Sequence, residues 1–233
     1  MTMGLFETML VRDGRVVQLE EHLARMAASC RALEWGELDA HRFRSVARGA
    51  AMQSDESAVR VTRTTDGEGG WLLEATAFAI PQATRLRRTH GRAITLDPSF
   101  VRPLPQHKTL PLSTYSGALA VAIQAGADEA FFVTPRGEIL EGSGTNVFAM
   151  RGDTLTTAPG VLPGVVRAWV LSIARQMSLR IEERAPRADE LRMGGFVTGS
   201  LTTLAPLRFL DGHPCASPGE AYEAIARQYP PGE

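Results

Sequence analysis

Residues 138–148 read EILEGSGTNVF: an apolar run, then a glycine-rich turn with a carboxylate, Glu141, at its entry and an amide, Asn146, at its exit. The composition reads as a strand and a turn, because glycine and serine punctuate a β-prone run. Alone, Glu141 would be an ordinary loop carboxylate. Three other segments change that reading: His107-Lys108-Thr109-Leu110, GVLPGVVR at 160–167, and VTGSLTTLAPL at 197–207. The first puts a lysine just before a predicted helix. The second is a Pro-Gly turn into a helix, and the third a small, hydroxyl-rich loop.

Lysine and arginine together number 25, and Lys108 is the single lysine among them, the other 24 being arginines. A coding bias toward arginine accounts for the 24 but not for the exception. Arginine replaces lysine at a surface site, yet its guanidinium does not lose a proton in a protein, whereas a lysine amine can do so and attack a carbonyl. A lone surviving lysine therefore points to amine chemistry.

The 233 residues suffice for one large domain or two small ones, and 44% hydrophobic with 22% charged residues is ordinary for a globular chain. A net charge of −1 gives no sign of nucleic acid or an anionic membrane as partner. No apolar run approaches the roughly 20 residues that span a bilayer, and MTMGLFETM lacks the basic-then-apolar layout of a signal peptide. Cys30 and Cys215 make neither a disulfide framework nor a metal site. The expectation is a cytoplasmic protein without metal, nucleic-acid or membrane partners.

Residues 4–11 read as a strand turning at 12–15, and 17–34 as an amphipathic helix with Leu19, Leu23, Met26, Cys30 and Leu33 at spacings of three and four. A helix over 40–52 and strands at 58–64 and 71–79, around the loop 66–70, complete a small α+β domain over 1–80. Residues 81–106, with one strand at 93–96 between proline-bearing stretches, read as an inter-domain connection. Residues 107–233 read as a larger α+β domain carrying Lys108. Its expected helices cover 113–125, 164–177 and 216–227, and its strands 129–134, 145–150, 154–157, 180–183 and 195–198.

Taken in this order, the four segments resemble the PLP (pyridoxal 5′-phosphate) enzymes of fold type IV, the class-IV aminotransferase family. That family includes branched-chain and D-amino-acid aminotransferases and 4-amino-4-deoxychorismate lyase. EILEGSGTNVF is similar to the E-G-x-x-x-N-x-F signature, and GLFETMLVRDGRVVQLEEHLARM to the family's first strand, turn and helix. The resemblance runs from Gly4 to about Gly212. It implies a two-domain α+β fold with the cofactor in the cleft between domains, and a homodimer. It further implies Lys108 as the Schiff-base lysine and proton shuttle at Cα, and Glu141 beside the pyridine nitrogen, where a carboxylate favours the protonated ring. Arg25, in H-x-x-R, matches the arginine that grips the phosphate. Val165 and Val166 would offer helix-start amides to the phosphate, and Ser200 a hydroxyl. Leu201, through its amide, and Arg60 are implied near the substrate.

Departures from the family pattern are a shortened N-terminus, Val166 where a threonine is common, and Ser113 where a tyrosine usually bonds the cofactor's ring oxygen, with Tyr115 two residues on. His22 and His107 are expected to be packing or hydrogen-bonding groups. The reaction stays open at this point. The short chain and K-T-L lean to the lyase, which releases pyruvate and forms 4-aminobenzoate, a folate precursor. The loop after Thr65 also lacks the Arg/His pair that D-amino-acid aminotransferases use on the carboxylate. GSLTTLAPL, by contrast, is similar to the transaminases' loop and Arg60 lies where branched-chain enzymes keep an arginine, so a branched-chain or D-amino-acid transaminase is the alternative. A non-catalytic PLP-binding homologue is the rival from another class.

Overall fold

The apolar run at residues 4–11 folds as β1 (Gly4–Arg12) and turns at Asp13 and Gly14, both at positive φ, into β2 (Arg15–Val16). Helices α1 (Leu19–Ala32) and α2 (Ala40–Ala50) follow, then the antiparallel strands β3 (Glu56–Thr65) and β4 (Trp71–Phe78). Next come α3 (Gln82–His90), β5 (Arg92–Thr95), β6 (Thr109–Leu110) and α4 (Ser113–Gln124). Strands β7 (Glu129–Val133), β8 (Ile139–Gly142), β9 (Asn146–Arg151) and β10 (Thr154–Thr157) lead to α5 (Val165–Gln176). The rest is β11 (Arg180–Glu183), α6 (Ala188–Gly194), β12 (Gly195–Gly199), β13 (Thr203–Pro206), β14 (Phe209–Leu210), β15 (His213–Pro214) and α7 (Glu220–Ala226). This computed structural model describes residues 3–66 and 68–229. Met1 and Thr2 of the N-terminal stretch and Gly67 of the 66–70 loop therefore lie outside the described residues.

Two units result: Met1–Pro81 with Gln106–Ser113, and Gln82–Pro105 with Thr114–Glu233. In the first, the sheet runs β2-β1-β3-β4, with β6 also pairing β1. Alternation along β1 sorts its side chains by face. Leu5, Met9 and Val11 pack with Leu19, Leu23, Met26 and Cys30 of α1 and Phe43 and Ala47 of α2. Burying each large apolar side chain contributes roughly 1.5–3 kcal/mol. Asp39 starts α2 by accepting from the Arg42 amide at 2.8 Å, which satisfies one of the amides a helix start leaves unpaired.

The second unit holds a 10-stranded mixed sheet with the path β11-β10-β9-β8-β7-β5-β14-β15, while β12 pairs β9 and β13. Helix α5 packs on it through Val166, Val170 and Leu171 against Phe148 and Phe196, whose rings stack at 4.9 Å.

Two expected boundaries are corrected. Residues 81–106 are not a connection: α3 and β5 belong to the second unit, where β5 pairs β7 and β14. QATRLRRTH has no apolar stripe, so the hydrophobic periodicity that betrays most helices is missing. Lys108 groups with the first unit and not the larger one, because β6 pairs Thr109 with Leu5 and Leu110 with Gly4. Helix α7 starts later than expected, at Glu220, after Pro218 and Gly219. α6 and the short β13–β15 were not legible as elements.

Candidate active site

In the first unit, Arg25, Arg60 and Lys108 gather around consecutive positions of β1. Lys108 precedes β6, and its carbonyl accepts from the Phe6 amide at 2.9 Å. Its Nζ lies 4.4 Å from the Phe6 ring centroid. Arg60, on β3, lies 5.4 Å from the same ring and 5.2 Å from that of Phe78, and its Nε donates to the Thr8 hydroxyl at 3.2 Å. Among the described residues Arg60 meets no carboxylate. Burial draws its guanidinium below the usual arginine range, so an anion brought to it would relieve an uncompensated charge.

The opposite face of β1 holds Arg25. Its Nε donates to Glu7 Oε1 at 2.8 Å and its Nη2 to Oε2 at 2.5 Å, and His22 Nδ1 donates to Oε2 at 2.6 Å. Burial pushes the Glu7 carboxyl up, but Arg25 and then His22 outweigh it and hold its pKa at about 2. Burial pulls His22 down against the opposing pull of Glu7, and the charges of Arg25 and Lys108 add to the decrease. These effects favour the neutral imidazole, which donates to Glu7 with its proton on Nδ1. His107 bonds the Ser29 hydroxyl at 3.0 Å. Glu7 escaped the sequence reading although a signal was present: an acid inside an apolar strand must find partners.

In the second unit, Glu141 lies one residue before the end of β8, almost wholly buried. Arg102 Nη1 pairs with its Oε1, and Oε2 accepts from the Leu162 amide at 3.2 Å. Arg102 Nη2 donates to the Pro105 carbonyl at 2.9 Å and to the Tyr115 hydroxyl at 3.1 Å, and its guanidinium lies over the Tyr115 ring at 4.9 Å. Tyr115 therefore joins the Glu141 neighbourhood, two residues beyond the family's tyrosine position. Nothing in the sequence singles out Arg102 from 23 other arginines.

Gly164 caps α5 and brings no side chain to the amides of Val165 and Val166. First-turn amides have no partner within their helix, and with the helix dipole they form a donor set for an anion. A Cβ at Gly164 would meet Asn146 Oδ1 at 1.9 Å. The asparagine of EILEGSGTNVF thus leaves room for no side chain at the glycine of LPG. Asn146 Nδ2 also donates to the Leu162 carbonyl at 3.0 Å, so Asn146 and Glu141 both fasten the segment before α5. The Val166 side chain lies in the core, so an amide is what it can offer. Ser200, Leu201 and Thr202 form the turn between β12 and β13, where Arg88 Nε donates to the Leu201 carbonyl at 2.8 Å. A carboxylate partnered by arginine, helix-start amides and a hydroxyl turn lie in the second unit, and a donor set of that kind suits an anion. A lysine amine lies with Arg25 and Arg60 in the first. Among the described residues no group of three His, Cys, Asp or Glu is placed to hold a metal, and no helix is long and apolar enough to cross a membrane.

Residues 4–209 match the family model described as amino-transferase class IV. A bifunctional aminodeoxychorismate lyase / D-amino acid transaminase of Mycobacterium tuberculosis is 32% identical over 241 residues, covering 90% of this chain and 82% of the relative. A putative branched-chain-amino-acid aminotransferase of Methanocaldococcus jannaschii is 29% identical, covering 90% and 79%. Among solved structures, a hypothetical aminotransferase from Mycobacterium tuberculosis in its PLP-bound form superimposes with a TM-score of 0.84 at 28% identity, over 96% of this chain and 86% of that one.

Proposed function

The chain belongs to the class IV aminotransferases and is a PLP-dependent enzyme, and on that premise we propose that it releases pyruvate from 4-amino-4-deoxychorismate to leave 4-aminobenzoate. When bound, PLP supplies a carbonyl for the substrate amine and a ring that takes up the electron pair left at Cα. Lys108 supplies the amine that holds the cofactor and, once displaced, the base that takes the Cα proton. Glu141 holds a proton on the ring nitrogen. Arg25, the Val165 and Val166 amides and Ser200 bind the phosphate. Arg60 and the Leu201 amide orient the substrate carboxylate.

The observation that carries an amino-acid substrate is Arg60, a half-buried cation that among the described residues meets rings and a hydroxyl but no acid, on the same Phe6 ring as the only lysine. The lean to the lyase rests on the K-T-L sequence and on the relative named as bifunctional. Transamination is the second reading, favoured by the GSLTTLAPL turn and the branched-chain relative. The deciding assay supplies aminodeoxychorismate without any keto acid: pyruvate and 4-aminobenzoate should accumulate in equal amounts over many turnovers. Turnover of D- or L-amino acids that halts until a keto acid is added, with no pyruvate from aminodeoxychorismate, would establish the second reading. No reaction with either would return the non-catalytic alternative.

A homodimer and a cytoplasmic location are part of the same proposal. Phe100, Val101 and Leu104 place three exposed apolar side chains within five residues, the kind of patch that marks an association surface. Light scattering of the purified protein should give twice the 25.2 kDa chain mass.

A further inference from the structure

Helix α3 carries three arginines that the reactions above do not use, and two of them, Arg87 and Arg88, reach the Ser200 turn. Arg87 is 4% exposed, although it lies in the most polar helix sequence of the second unit. Its Nε lies 3.2 Å from Glu129 Oε2, Nε and Nη2 donate to the Asp128 carbonyl at 3.0 and 2.8 Å, and Nη1 donates to the Thr202 hydroxyl at 3.1 Å. Glu129, fully buried at the start of β7, accepts from the Ser143 amide at 2.9 Å, from the Ser143 hydroxyl, and from the Thr145 hydroxyl at 2.7 Å. A Cβ at Gly142 would meet Thr145 Oγ1 at 2.2 Å and Glu129 Cδ at 2.8 Å. The turn is thus wrapped tightly around this carboxylate.

One buried ion pair therefore reaches two separate turns. Glu129 fixes residues 142–145, which follow Glu141, and Arg87 fixes Thr202 in the Ser200 turn. Arg88 adds a third hold through the Leu201 carbonyl. Carbonyl and amide of one trans peptide point in opposite directions, so pinning the Leu201 carbonyl also aims the Thr202 amide to the far side of that peptide. Buried polar groups this thoroughly satisfied rigidify what they hold. A site that binds a dianion through backbone amides and hydroxyls needs such rigidity, because each donor must already point at the anion.

We propose that Arg87 and Glu129 are a positioning pair that sets the phosphate-binding geometry of the Ser200 turn and locks it to the turn that presents Glu141. The proposal rests on the reading of the Ser200 turn as a phosphate holder. Its test compares the affinities of cofactor-free protein for PLP and for pyridoxal, which lacks the phosphate, by absorbance titration. Thr202→Val removes only the Arg87 contact and keeps the side-chain volume. It should lower the PLP-to-pyridoxal affinity ratio about threefold to tenfold. Arg87→Met should lower the ratio further, with pyridoxal affinity unchanged. Where Arg87→Met fails to fold, Thr202→Val decides. A normal ratio in Thr202→Val beside a reduced ratio in Ser200→Ala would overturn the positioning role alone. A normal ratio in Ser200→Ala would remove the phosphate reading beneath it. Equal losses for both ligands would show a general structural role and also overturn the proposal.

Discussion

Arg102 and Glu141 form an ion pair whose side chains are 5% and 4% exposed, with the Tyr115 hydroxyl on the same guanidinium. A carboxylate so buried would tend to take up a proton if alone, and a carboxylic acid could not stabilise a cationic ring. Arg102 opposes that uptake, and the Leu162 amide adds a second hydrogen bond to the charged form. Arg102→Met leaves a buried charge without its partner, a change that typically costs ~3–5 kcal/mol of stability. Urea denaturation of cofactor-free protein should show that loss.

Glu141→Gln should keep the cofactor on the protein yet lose turnover by roughly 10²–10³, as for other groups that stabilise charge formed during reaction. Steady-state kinetics on cofactor-saturated variant measures this. Near-normal turnover would remove Glu141 from the mechanism.

Reductive trapping gives an unusually clean assignment because the chain has one lysine. Borohydride treatment of the holoenzyme, followed by peptide mass spectrometry, should find PLP on one peptide spanning His107-Lys108-Thr109. Lys108→Ala should carry no label and no activity. Label at the N-terminal amine would contradict the assignment.

Glu7 makes acid stability specific to one strand. Its pKa falls from 4.5 to about 2 on folding, so its contribution is complete above about pH 5 and disappears as pH falls through about 2. A depression of that size corresponds to about 3 kcal/mol. In denaturant titrations between pH 7 and pH 3, the stability of Glu7→Gln should fall less steeply than that of the wild-type chain. The same variant loosens the Arg25 fork, so PLP affinity should drop about tenfold.

Gly164→Ala tests the contact between the signature and the α5 start. The new methyl must displace Asn146, which should cost ~1–3 kcal/mol by overpacking and weaken PLP binding with it. Calorimetric melting and cofactor titration of the variant measure the two effects. An unshifted melting temperature would mean that Asn146 moves freely.

Much of this was legible from the residues. Apolar periodicity located α1, α5 and the main strands, and the four motifs located Lys108, Glu141 and the Gly164 and Ser200 turns. The missed features share a physical cause. Arg87 and Arg102 are buried cations, and burial of a charge leaves no trace in hydrophobic patterning. Their carboxylate partners lie 42 and 39 residues away in sequence. α3 was hidden for the same reason, since its inward face is made of Thr84 and Arg87. Lys108 was assigned to the wrong unit because a two-residue strand pairs too briefly to show a period.

The pleat of β1 has a consequence for how such an enzyme can change. Phe6 and Thr8 meet Lys108 and Arg60 on one side, while Glu7, between them, meets His22 and Arg25 on the other. The two tasks are interleaved along the chain yet insulated from each other by the backbone. On the proposed reading of Lys108 and Arg60, Phe6 and Thr8 can therefore drift toward new substrates by point substitution without disturbing the buried acid. A single-residue insertion has no such freedom: it would exchange the two sides at once, facing the carboxylate toward Lys108 and the ring toward Arg25.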